Sequence, residues 1–94
     1  MKQVDLNQVK ENIEYLAIGS ELLTSAYAET NSLFLAEKLD NLGLRLRYKS
    51  VVSDRLEDIV QAVKVALNRS RLIFISGGLG PTEDDRTREA VAQA

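Results

Sequence analysis

Glu83, Asp84 and Asp85 follow directly on a turn that contains Gly77, Gly78 and Gly80, with Thr82 between them and Thr87 just beyond. Glycines remove the Cβ, so the backbone can turn sharply and bring its N–H groups against a bound group. Such a cradle at the start of a helix holds an anion, phosphate above all. Three carboxylates beside it would repel a phosphate unless a cation intervenes. The pattern therefore asks for a metal or a protonated ligand group. The same residues also describe a tight strand-to-helix connection, because the Thr/Asp cluster supplies N-caps for a helix beginning within residues 85–87.

Composition narrows the chemistry. The chain has 94 residues and contains neither cysteine nor histidine, which removes disulfides, thiolate nucleophiles, imidazole bases and the common zinc sites. Any metal must be hard and bound by oxygen. Twelve Lys and Arg against fourteen Asp and Glu give a net charge of −2, with a pI near 5.1, so no global field draws the chain to nucleic acid or membrane. With 45% hydrophobic and 28% charged residues it reads as one soluble globular domain. No signal-like or membrane-length apolar run is present, and the cytoplasm is the expected location.

The elements that must position the glycine turn can be read in order. Residues 1–12 are polar with scattered Val4, Leu6 and Val9, either a short helix from Asp5 or a frayed extension. Residues 13–18 form a mostly buried strand that stops at Gly19. Thr30 or Asn31 can cap a helix over residues 31–42 with Leu35, Leu39 and Leu42 on one face, ended by Gly43. Residues 44–52 alternate apolar and basic, the pattern of an edge strand with one wet face. The segment Asp54-Arg55-Leu56-Glu57 has the form of a capping box, with Asp54 as N-cap, before a helix over residues 56–68 carrying Leu56, Ile59, Val60, Val63 and Leu67. Residues 72–75 are an unbroken apolar run, and residues 72–76 are predicted as a strand buried on both faces and leading into the glycines. This β-α-β-α-β-α order predicts a parallel sheet with right-handed crossovers. If the first strand lies between the other two, the strand ends at Gly19 and Gly77 flank a switch-point crevice.

The run from Gly77 to Ala90, Gly-Gly-Leu-Gly-Pro-Thr-Glu-Asp-Asp-Arg-Thr-Arg-Glu-Ala, resembles the signature of the molybdopterin-binding-like domain at the N-terminus of CinA (competence/damage-inducible) proteins. Three further segments agree in order and spacing: Ala17-Ile18-Gly19-Ser20-Glu21-Leu22-Leu23, Glu29-Thr30-Asn31-Ser32 followed by Leu35-Ala36-Glu37-Lys38-Leu39, and Val51-Val52-Ser53-Asp54. Glu29 stands where the family more often has Asp.

The resemblance implies a three-layer α/β/α fold with a mostly parallel sheet, of the MoaB/Mog type. It implies a pocket for a nucleotide or pterin ligand lined by Gly19, Ser20, Glu21, Thr30, Asn31, Asp54, Gly77, Gly78, Gly80, Thr82 and Thr87. For this branch it implies metal-dependent hydrolysis of the ADP-ribose pyrophosphate bond. The divalent metal, expected to be Mg²⁺, would be held by Asp84, Asp85 and Glu21, with Asp84 and Asp85 as the catalytic carboxylates. A binding module that holds a molybdopterin-like ligand without turnover is the rival reading, and an inactive fragment is a third.

Against that family the chain is short, so residues 1–12 are expected to be an extension and residues 13–94 the N-terminal part of the domain, without the amidase domain found in many members. The helix begun at Thr87 then lacks the layer that it should cover, which predicts a homo-oligomer.

Overall fold

Three strands form a parallel sheet in the order β2-β1-β3. The computed structural model describes residues 12–77 and 86–94. Within them the chain runs β1 (Ile13–Ile18), a 3₁₀ turn (Ser20–Leu23), α1 (Asn31–Asn41), β2 (Leu46–Val52), α2 (Leu56–Arg69), β3 (Leu72–Ser76) and α3 (Arg86–Gln93). Ala17 stands opposite Val51 on one side and Ser76 on the other, so all three strands end at one rim.

Every residue of β1 is buried, as a central strand covered on both faces must be. Leu16 and Ile18 pack on one face with Ile59 and Val63 of α2 and Ala90 of α3. Tyr15 and Ala17 point to the other face, as does Lys49, whose ammonium reaches Glu29 ahead of α1. Right-handed crossovers that move from β1 to β2 and then back past β1 to β3 place α1 and α2 on opposite faces. The result is the expected three-layer α/β/α architecture.

Several local expectations are corrected. β3 is not buried on both faces: Leu72 is 46% exposed and the following residues are half-buried, because among the described residues β3 pairs with β1 alone. β2 begins at Leu46 rather than Leu44, since Leu44 is still committed to the helix end. Its N–H bonds the Leu39 carbonyl at 2.9 Å and that of Gly43 bonds Asp40 at 3.0 Å, a Schellman closure with Gly43 at φ 75°. Leu42, as C-cap, leaves the helical face and stays exposed. In α2 the buried stripe is Ile59, Val63 and Ala66, and Leu67 is turned to solvent.

The capping box is not formed. The N-cap of α2 is Arg55, without a side-chain cap bond, because the Asp54 carboxylate is engaged by Ser20 instead. Ser53 supplies the local polar closure: its Oγ accepts from the Arg55 N–H and donates to Asp58. The expectation of an uncovered helix after Thr87 is also corrected, since Ala90 is fully buried against α2.

At the amino-terminal end of the strands a buried Glu14 pairs with a half-buried Arg69, which no motif or spacing marks in the sequence. Glu14, 1% exposed, accepts from Arg69 Nε at 3.0 Å, from a second Arg69 nitrogen at 2.7 Å and from Ser70 Oγ at 2.7 Å. The Arg69 guanidinium also stacks 3.8 Å from the centre of the Tyr48 ring. Burial raises the Glu14 pKa, but the hydrogen bonds and the guanidinium charge outweigh it and hold the carboxyl below its ordinary value. The pair locks the end of α2 to the start of β1.

Candidate functional site at the carboxyl-terminal rim

The first residue of the glycine turn is fixed by sterics. Gly77 has φ 89°, a region that side chains avoid, and a Cβ there would fall far inside contact distance of the Ile18 carbonyl oxygen. The end of β3 therefore lies directly against the end of β1. Because the chain leaves β1 toward α1 on one face and leaves β3 toward α3 on the other, a crevice opens between these two strand ends.

Thr87 closes the far side of this corner. Its hydroxyl donates to the Gly77 carbonyl at 2.9 Å and the residue is only 4% exposed. Sequence reasoning places Thr87 among ligand contacts; the structure gives its hydroxyl an internal partner that seats the first turn of α3 on the end of β3.

The loop after β1 is tied to the loop after β2 twice. The Gly19 N–H bonds the Val52 carbonyl at 3.0 Å, and Ser20 Oγ donates to Asp54 Oδ1 at 3.0 Å while accepting from the Asp54 N–H at 3.3 Å. Glu21 follows in the 3₁₀ turn, exposed, with its carboxylate folded over Gly19 into the space that a Cβ would take. Thr24 Oγ donates to the Glu21 carbonyl at 2.8 Å and fixes the turn from its other end. Gly19, Ser20, Glu21, Asp54 and Gly77 thus lie at one rim, as the strand order with β1 in the middle predicts.

Thr30 and Asn31 sit at the N-terminus of α1, which runs antiparallel to the strands and so starts on the rim side. Thr30 is the N-cap residue, yet its side chain makes no cap bond. The cap comes from Glu29, which accepts from the Ser32 N–H at 2.8 Å and from Ser32 Oγ at 2.6 Å. Burial raises the Glu29 pKa, but these bonds and Lys49 at 3.6 Å outweigh it and hold the carboxyl below its ordinary value. The longer arm of Glu29 thus has a definite structural role, and Thr30 and Asn31 present exposed side chains.

Gly78, Gly80, Thr82, Asp84 and Asp85 lie outside the described residues. Among the described residues no group of three or more carboxylates is placed to hold a metal ion. Glu21 and Asp54 are nevertheless hard oxygen donors on two loops joined by the Ser20 bond, and Mg²⁺ commonly takes one or two carboxylates and keeps its waters. A groove of about 360 Å³ lies beside the rim, lined by residues that include Leu23, Val52, Ser53, Asp58 and Gln61. Two further hollows, lined by Gly43 with Leu44 to Arg47 and by Ile13, Leu44, Arg71 and Leu72, lie at the opposite end of the sheet.

Residues 14–94 match the family model described as "Probable molybdopterin binding domain". The chain belongs to that family. Within it, the chain is 51% identical over 81 residues to a "CinA-like protein" of Acidobacterium capsulatum, covering 86% of this chain and 20% of that protein. A "Putative competence-damage inducible protein" of Alkaliphilus metalliredigens is 51% identical over 80 residues, covering 85% of this chain and 20% of that protein. The chain thus spans about a fifth of the length of these relatives. The CinA crystal structure from Thermoplasma acidophilum superposes with a TM-score of 0.80 at 40% identity, covering 88% of this chain and 49% of that one. The Mog protein of Mycobacterium ulcerans, a molybdopterin biosynthesis protein, superposes at 0.74 with 23% identity, covering 88% of this chain and 55% of that one, and shares the fold. No helix among the described residues is long and apolar enough to cross a membrane.

Proposed function

We propose that the rim between β1 and β3 binds a phosphorylated small molecule, a nucleotide or pterin, and that in the full-length protein it hydrolyses the pyrophosphate of ADP-ribose. The observation that carries this reading is the convergence of Gly77 on Ile18 with Glu21 and Asp54 on the adjoining loops. A glycine backbone held at a strand end can offer N–H groups to a phosphate, and carboxylates around it favour a cation between them and the ligand.

A divalent cation such as Mg²⁺ supplies charge neutralisation and Lewis acidity at the phosphoryl oxygens when bound. Glu21, Asp84 and Asp85 are the residues that would hold it. The carboxylates also accept the proton of the attacking water. The water oxygen forms a bond to one phosphorus as the bridging P–O bond breaks, giving AMP and ribose 5-phosphate.

Release of AMP and ribose 5-phosphate from ADP-ribose tests the reading. Metal-dependent release supports it, and its absence with saturable binding in calorimetry favours the second reading, a binding module without turnover. That second reading draws its support from the description of the family as molybdopterin-binding.

A further inference from the structure

We propose that Ser20 is a positioning residue: it acts through Asp54, clasping the loops after β1 and β2 so that the Glu21 turn keeps its place over Gly19, and it does not itself contact the ligand. The hydroxyl of Ser20 has one proton to donate and two lone pairs to accept. The donor is spent on Asp54 Oδ1 at 3.0 Å and one acceptor on the Asp54 N–H at 3.3 Å, so the same oxygen fixes both the backbone and the side chain of Asp54.

The neighbouring geometry makes this clasp consequential. Glu21 is the next residue, and its turn is otherwise held by short local bonds, the Leu22 N–H to the Gly19 carbonyl at 3.1 Å and the Thr24 N–H to the Glu21 carbonyl at 3.2 Å. One longer-range backbone bond, Gly19 to Val52, anchors the start of the turn. It sits before the turn and does not by itself set the direction of Glu21. Ser20 to Asp54 bridges 34 residues of sequence at that point and supplies the second anchor. Two anchors define an orientation where one defines only a pivot.

The inference rests on the hydrolase reading only for its turnover arm. Hydrogen exchange at the Leu22 and Thr24 amides, measured in the full-length protein, tests the clasp without any ligand. Asp54→Ala, which removes the side-chain bond, is expected to speed exchange there by about fivefold, the loss of one ordinary hydrogen bond, and Ser20→Ala, which removes both bonds, by more. The double variant is expected to be no faster than Ser20→Ala alone, because that change already removes both bonds between the two residues. Ser20→Thr retains the hydroxyl and is expected to restore slow exchange. In turnover, the effect of Ser20→Ala is expected to shrink in the Asp54→Ala background, where only the bond from the backbone N–H is left to lose. Unchanged exchange in either Ala variant overturns the clasp, and so does a Ser20→Ala loss of turnover that is undiminished in the Asp54→Ala background, since that marks direct ligand contact. A wild-type protein that binds but does not turn over ADP-ribose defeats the hydrolase reading and leaves the exchange result to decide the clasp.

Discussion

The hydroxyl of Thr87 donates to the carbonyl of Gly77 at 2.9 Å, joining the first turn of α3 to the last residue before the rest of the glycine turn. Both ends of the segment between them are therefore fixed on the rim, one against Ile18 and one against Gly77. The bond seats the start of α3 on the end of β3.

Gly77→Ala should be among the most damaging small substitutions in the chain. The backbone at φ 89° is strained for any side chain, and the added Cβ meets backbone rather than a flexible side chain, so the site has little room to adapt. A loss of about 2–3 kcal/mol in urea unfolding is expected. Gly43→Ala, at φ 75° with open space around it, should cost less, about 1 kcal/mol.

The Glu14–Arg69 pair predicts a defined acid response. The folded-state pKa of Glu14 lies below its unfolded value, so its stabilisation is complete above the ordinary glutamate pKa and is lost as pH falls through the folded value. Glu29 is shifted in the same direction and adds to the same window. Glu14→Gln should flatten the decline of stability on acidification, measured by unfolding at a series of pH values, and should lower stability near neutrality because Arg69 is left without its charge partner.

Much of this architecture is legible in the sequence. The mostly apolar run of β1, the glycine stops at Gly19, Gly43 and Gly77 and the 3.6-residue stripe of α2 each carry local signals strong enough to set the parallel three-layer fold. The features that are not legible depend on partners remote in sequence. Asp54 has the spacing of an N-cap, but Ser20 claims it from 34 residues away. Glu14 looks like the polar position of a strand, and only the arrival of Arg69 lets it be buried with its charge. β3 has the composition of a central strand, yet its exposure depends on how many neighbours it pairs with. Leu42 and Leu44 lose their expected places to the helix closure at Gly43, a geometry that the apolar pattern does not record.

Asp85 separates a cap from a catalytic carboxylate. It immediately precedes α3, where Asn serves as an N-cap about as well as Asp. Asp85→Asn should leave the Tm nearly unchanged while lowering metal-dependent ADP-ribose cleavage in the full-length protein at least about tenfold, equivalent to about 1.4 kcal/mol of transition-state stabilisation. Equal losses of stability and activity would assign Asp85 to the cap. Unchanged activity would remove it from the reaction.

The central claim is that the ligand binds at the rim where β1 and β3 end, and an amide-resolved NMR titration with ADP-ribose and Mg²⁺ tests it most directly. Binding at the rim predicts saturable shifts at Gly19, Ser20, Glu21, Asp54 and Gly77, with Glu14, Arg69 and Ser70 at the opposite end of the sheet unmoved. Shifts confined to that opposite end, or none at any concentration of ligand and metal, would contradict it.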